Sequence, residues 1–142
     1  MSHGGKFKKV EKSGKKMYGP RKLLVCGYSE QEQLAFLLLL KENGLGAFPV
    51  IFATDGDLRK TLKEVLDSDD RQGQGEVFDM KRAVIMSGFT EKELHTLMAA
   101  YRGSKFPAQL WATLTPVSEN WSVADLLDEL AAEAEAIKKQ RK

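Results

Sequence analysis

Two pairs of carboxylates stand at matched places in this chain. Glu30 and Glu32 follow Gly27-Tyr28-Ser29, and Glu91 and Glu93 follow Gly88-Phe89-Thr90. Two acids so close could divide a proton transfer between a general acid and a general base. A strand-to-helix turn that opens on glycine could instead seat an anion on free backbone N–H groups. Plain helix capping competes with both. Ser29 with Glu32, and Thr90 with Glu93, have the spacing of a capping box, in which hydroxyl and carboxylate each satisfy an orphan N–H. Four carboxylates with no basic neighbour would repel a phosphate, and neither turn carries a glycine-rich phosphate loop. The run "GLGAF" (44–48) closes a helix rather than opening one. Capping is the favoured reading, no residue is assigned as catalytic, and no cofactor is expected.

Cys26 ends an apolar run just before the first of these turns, where a helix N-terminus would favour its thiolate. No histidine stands in position to activate it: His3 is near the N-terminus and His95 lies in the second of the matched units. An inert buried thiol is favoured. Three or four convergent ligands cannot be assembled from Cys26, His3, His95 and scattered acids, so no metal site is expected.

The elements that must position these groups come in a repeated order. "LLVC" (23–26) and "AVIM" (83–86) are continuously apolar, as strands buried on both faces are. "PVIFAT" (49–54) and "QLWATL" (109–114) read as two further strands. Helices are predicted from each capping box, the first to about Asn43-Gly44 and the other to Gly103. Asp57 is expected to cap a short helix carrying Leu58, Leu62, Val65 and Leu66 on one face. Ser122 with Asp125 caps the last helix, which carries Val123, Leu126, Leu127, Leu130, Ala134 and Ile137. "DSDDRQGQGE" (67–76) has no periodicity and reads as a linker.

The order is βαβα, linker, βαβα. The turns align at an offset of 61 residues, and Ala53-Thr54 aligns with Ala112-Thr113 at 59. An internal duplication accounts for this. It predicts an α/β three-layer sandwich with a wholly parallel four-stranded sheet of order 2-1-3-4. Repeat one spans 22–66, the linker 67–80 and repeat two 81–137. The related halves would place the two glycine turns side by side at a switch point, where open parallel sheets bind ligands. Gly27, Tyr28, Ser29, Gly88, Phe89, Thr90, Thr115 and Asn120 are the ligand-binding candidates of that cleft.

Charge is segregated. Residues 1–22 hold eight basic side chains against Glu11 alone, residues 138–142 add four, and residues 23–137 hold 19 acidic against 10 basic. Residues 1–21 read as a disordered basic tail and 138–142 as a basic C-terminal end. Weak nonspecific nucleic-acid contact through residues 6–22 is one use of such a tail. No apolar run approaches a membrane span of roughly 20 residues, so no membrane partner is expected. One cysteine suits a reducing cytoplasm.

The first helix has an excess of leucine. Phe36, Leu37 and Leu40 match the core face of the other copy, yet Leu34, Leu38 and Leu39 are apolar too. That stripe must be covered, by the linker through Val77 and Phe78, or by a protein partner or homodimer contact. The leading reading is a small soluble interaction module without enzymatic activity. A small-ligand protein or enzyme using the cleft, and a nucleic-acid accessory protein tethered by its tail, are the alternatives.

The stretch 83–130, with Gly-Phe-Thr-Glu-x-Glu-Leu, then Trp-Ala-Thr-Leu-Thr-Pro and Asn120-Trp121 before the last amphipathic helix, resembles a bacterial family catalogued only as a domain of unknown function. The resemblance transfers no activity. It directs attention to Thr113, Thr115, Pro116, Asn120 and Trp121.

Overall fold

The computed structural model describes residues 15–140. The chain is α/β, with strands β1 (Lys22–Cys26), β2 (Val50–Phe52), β3 (Ala83–Ser87) and β4 (Leu110–Thr113). Four helices alternate with them: α1 (Glu30–Glu42), α2 (Leu62–Leu66), α3 (Glu91–Arg102) and α4 (Val123–Gln140). The sheet order is β2-β1-β3-β4, as the sequence predicts.

The sheet is mixed, which corrects the expectation of a wholly parallel one. β1 pairs with β2, and β3 with β4, in parallel, but the central pair β1–β3 is antiparallel, with Lys22 opposite Ser87 and Cys26 opposite Ala83. The linker decides this. After α2 the chain climbs the outer edge of β2: Arg71 N–H donates to the Val50 carbonyl (2.7 Å) and Phe52 N–H to the Gln72 carbonyl (2.9 Å). Asp70 accepts from Val50 N–H (2.8 Å). Gln33, buried on α1, then grips the segment, accepting from Gly75 N–H and donating to the Glu76 carbonyl. The chain therefore re-enters the sheet from the end at which β1 finishes, and β3 must run back along it.

Strand residues alternate between two cores. On one face Leu23, Val25, Phe52, Val84 and Met86 pack against Phe36 and Leu40 of α1 and Leu97 and Tyr101 of α3. On the other, Leu24, Ile51, Ala83 and Ile85 pack against Leu62, Val65 and Leu66 of α2 and Val123, Leu126 and Leu127 of α4. Helices α1 and α3 thus share a face, where parallel halves would have put them on opposite ones.

Local chemistry sets the helix starts. Complete capping boxes open α1 (Ser29–Glu32), α3 (Thr90–Glu93) and α2, the last with Thr61 and Glu64. Helix α2 begins at Leu62, not at Asp57. Asp57 is buried in a tight turn, where its carboxylate accepts from the N–H and hydroxyl of Thr54.

Residues 61 positions apart occupy matching places. Leu62 N–H donates to the Trp121 carbonyl and Val123 N–H to the Lys60 carbonyl, both at 3.0 Å. The strand registers put Ile51 beside Leu24 and Ala112 beside Ile85, so the second strands also match at 61, replacing the offset of 59.

Residues 15–21, read from sequence as the end of the tail, lie against β3 and its turn. Met17 N–H donates to the Phe89 carbonyl and Gly88 N–H to the Tyr18 carbonyl. The remainder of the tail reading, residues 1–14, falls outside the described residues, as do 141 and 142.

Candidate functional site

The antiparallel central pair separates the two glycine turns. Gly27 follows the end of β1 and Gly88 the end of β3, just beyond opposite ends of a five-residue ladder, roughly 20 Å apart at the usual strand rise. The switch-point cleft does not form. Tyr28 and Phe89 are core residues, 2% and 0% exposed. Ser29 and Thr90 accept from the N–H groups of Glu32 and Glu93 (3.2 and 3.1 Å). Thr115 exchanges hydrogen bonds with Ser118 in the turn after β4, and Asn120 lines a shallow polar hollow with Trp121, Ser122 and Asp125.

Both glycines have positive φ, +78° and +70°. A Cβ on Gly27 would come within 2.6 Å of the Met80 carbonyl oxygen, and one on Gly88 within 2.6 Å of the Gly19 carbonyl oxygen. They are glycine because the segment entering the neighbouring strand crosses directly over them.

That crossing delivers an arginine to each helix start, where the sequence reading expected no basic neighbour. Arg21, entering β1, forks onto Glu93, donating through Nη1 to Oε1 (3.1 Å) and through Nη2 to Oε2 (2.6 Å). It also donates to the Gly88 carbonyl and lies 4.6 Å over the Phe48 ring. Arg82, entering β3, donates to Glu32 Oε1 (2.8 Å) and to the Tyr101 hydroxyl (3.2 Å), 4.0 Å over the Tyr28 ring. Each arginine locks the capping glutamate of the opposite half. Partial burial opposes the charge of Glu32, but the Ser29 N–H and Arg82 offset it and hold the carboxyl below its ordinary range. Glu93 is also below it: burial is overcome by Arg21 and the Thr90 N–H.

The two clamps differ in one respect. Among the described residues, Arg82 Nη2 and the neighbouring Gln109 Nε2 are buried with no hydrogen-bond partner. Gln109 Oε1 accepts from the Tyr28 hydroxyl (2.7 Å), and the Tyr101 hydroxyl donates to the Pro107 carbonyl. Phe106 stacks on Tyr101 and closes this cluster from outside. Arg21 and Arg82 are the positions that sequence reasoning missed. The available signal was a basic pair, Arg21-Lys22 and Lys81-Arg82, abutting each apolar strand, the arginines 61 apart.

Beside the second clamp runs an apolar groove of about 410 Å³, between α1 and the loop after α3, walled by Ala35, Leu38, Leu39, Phe106 and Pro107 and edged by Glu42 and Lys105. Leu34 and Leu38, a turn apart, are each 55% exposed, while Leu39 packs partly on the core. Val77 does not cover them; it is itself exposed.

Other candidates resolve simply. Cys26 is buried, and burial, with the Asp57 charge second, pushes its thiol up to about 12, so no thiolate forms at neutral pH. Among the described residues no group of three or more His, Cys, Asp or Glu could hold a metal ion, and no helix is long and apolar enough to cross a membrane. Of the basic residues near the N-terminus, Arg21 is in its clamp and Lys22 donates to the Leu66 and Ser68 carbonyls. Trp111 packs edge-on against Tyr101, and Trp121 is partly exposed.

Fold and site together define a small α/β protein on a mixed sheet whose helix starts are clamped by arginines from across the central strand pair. Residues 82–137, from the clamp arginine Arg82 into α4, match the model of a family described as a domain of unknown function (DUF3783). No curated protein and no solved structure matches the chain.

Proposed function

We propose that the protein is a non-enzymatic interaction module that seats a partner protein in the groove beside α1. The observation that carries this reading is the exposure of Leu34 and Leu38, one turn apart, of which Leu38 lines the groove with Leu39, Phe106 and Pro107. A soluble domain that leaves two leucines together beside an apolar groove offers a docking face. Ser104, the hydroxyl lining the groove, is engaged in donating to the Tyr101 carbonyl. Glu32, the carboxylate at the rim, is held by Ser29 and Arg82. Glu42 edges the groove, and residues 23–137 carry 19 acids against 10 bases. The complementary partner is an amphipathic helix with leucines a turn apart and basic flanks.

The test is an NMR titration with a helical Leu/Lys peptide of that design. Saturable shifts at Leu38, Leu39 and Phe106, weakened about tenfold by Leu38→Glu, are expected for an apolar anchor of about 1.4 kcal/mol. Shifts that bypass these residues, or that persist unchanged in Leu38→Glu, would refute the groove.

We also infer that the chain is two copies of one βαβα unit. The matched clamps Arg21–Glu93 and Arg82–Glu32, the matched caps and the matched Leu62 and Val123 hydrogen bonds support this. Its single buried thiol suits a reducing cytoplasm.

A further inference from the structure

The two sheet edges are treated differently. Main-chain hydrogen bonds from Arg71 and Gln72 occupy β2. Among the described residues nothing pairs with the outer side of β4. Leu110 and Leu114 donate inward, to the Arg82 and Met86 carbonyls, so the intervening Trp111 and Thr113 direct their N–H and C=O groups outward. Exposed edges are commonly blunted by lysine, proline or a bulge. "LWATL" has no charge and no proline, and all four β4 residues are half-buried.

Helix α4 is also unfinished. It spans about 27 Å against about 13 Å for β4. Its buried residues are Val123, Leu126 and Leu127, all near its start. Asp128 already reaches Lys81, at the end where β3 begins. The remainder, with Ile137 half-exposed and Lys138 and Lys139 at the tip, extends past the sheet. At the other end of β4, Val117 and Trp121 are exposed and Glu119 stands beside them.

We propose that β4 pairs antiparallel with β4 of a second copy, forming a two-fold dimer with a continuous eight-stranded sheet. With the axis at Ala112, Trp111 of each chain exchanges both backbone hydrogen bonds with Thr113 of the other. The same operation lays the two α4 helices side by side in opposite directions. The overhang of each then passes the other chain's 115–122 turn, bringing Ile137 toward Val117 and Trp121. Charge selects the second copy as occupant. Helix α4 is acidic from Asp125 to Glu135 (Asp125, Asp128, Glu129, Glu133, Glu135) and basic only at its tip (Lys138, Lys139), and in this arrangement the basic tip comes to the other chain's 115–122 turn, where Glu119 carries the opposite sign. The α1 groove lies on the face of the sheet opposite α4 and stays open to solvent in the dimer.

Sedimentation velocity on the full chain tests this, with amide hydrogen exchange on the same samples. A dimer is expected, in which the Trp111 and Thr113 amides are protected and lose protection on dilution. Thr113→Pro removes an outward N–H that no described residue uses, and should give a monomer with an unchanged circular dichroism spectrum. Lys138→Glu with Lys139→Glu should weaken dimerisation about tenfold, more at low salt than at high. A monomer at all concentrations overturns the proposal. So does protection of the two amides that is independent of concentration, which would mean that the chain covers its own edge. So does a dimer lost in Leu38→Glu and retained in Thr113→Pro. The exchange measurement decides the matter on the natural sequence should Thr113→Pro fail to fold.

Discussion

Arg21 and Arg82 show how much of this fold is held by single side chains reaching between halves. Each neutralises a capping glutamate, and each stacks on an aromatic ring of the same core. Arg82 is the more enclosed, with its side chain 15% exposed against 36% for Arg21. Truncation of Arg82 to alanine should therefore destabilise by about 2–3 kcal/mol and of Arg21 by about 1 kcal/mol, since solvent screens the latter pair. Urea titration of the two variants checks the ranking. The sign of the pH dependence follows from the glutamates. Both have folded-state values below the ordinary 4.5, so their stabilisation is complete above that value and fades as pH falls through the lower folded-state values. Acid titration of the urea midpoint should show this loss, and Glu32→Gln with Glu93→Gln should flatten it. A midpoint that rises on acidification would contradict the assignment.

At the scale of elements, the capping boxes act as predicted by their spacing. Ser29→Ala and Thr90→Ala should each cost about 1 kcal/mol in chemical denaturation. The identity of the strands, their order and the boxed starts of α1 and α3 were readable in the sequence, because apolar runs and S/T-x-x-E spacings are local signals, whereas the Thr61–Glu64 box of α2 was passed over for Asp57. Strand direction was not. It depends on whether the chain returns to the near or far end of the sheet, and residues 67–76 decide that through backbone hydrogen bonds from Arg71 and Gln72 that leave no pattern in side-chain type. The same cause hid the clamps. Arg21 looked like one more charge in a basic tail, because its partner Glu93 lies in the opposite half. The excess leucines of α1 were legible as a stripe, of which Leu34 and Leu38 are exposed and Leu39 packs partly on the core. The Phe106 wall beside them was not, since it arrives from a loop with no periodicity.

For the whole molecule, the antiparallel centre decides what the surface can offer. It places α1 and α3 on one face and α2 and α4 on the other, and it disperses the residues that a parallel sheet would have gathered into one cleft. What is left, among the described residues, is an apolar groove on one face and an unpaired strand edge at β4. The strap along β2 gives these an order. With one border sealed by residues 70–72 and the other open, a sheet of this kind can be extended once and then has nowhere further to grow. Asp70→Ala, by loosening the strap, should expose the β2 edge as well, and light scattering and thioflavin fluorescence should rise above those of the natural chain measured alongside. A modest aspartate beside Val50 would then be what separates a finished particle from a filament.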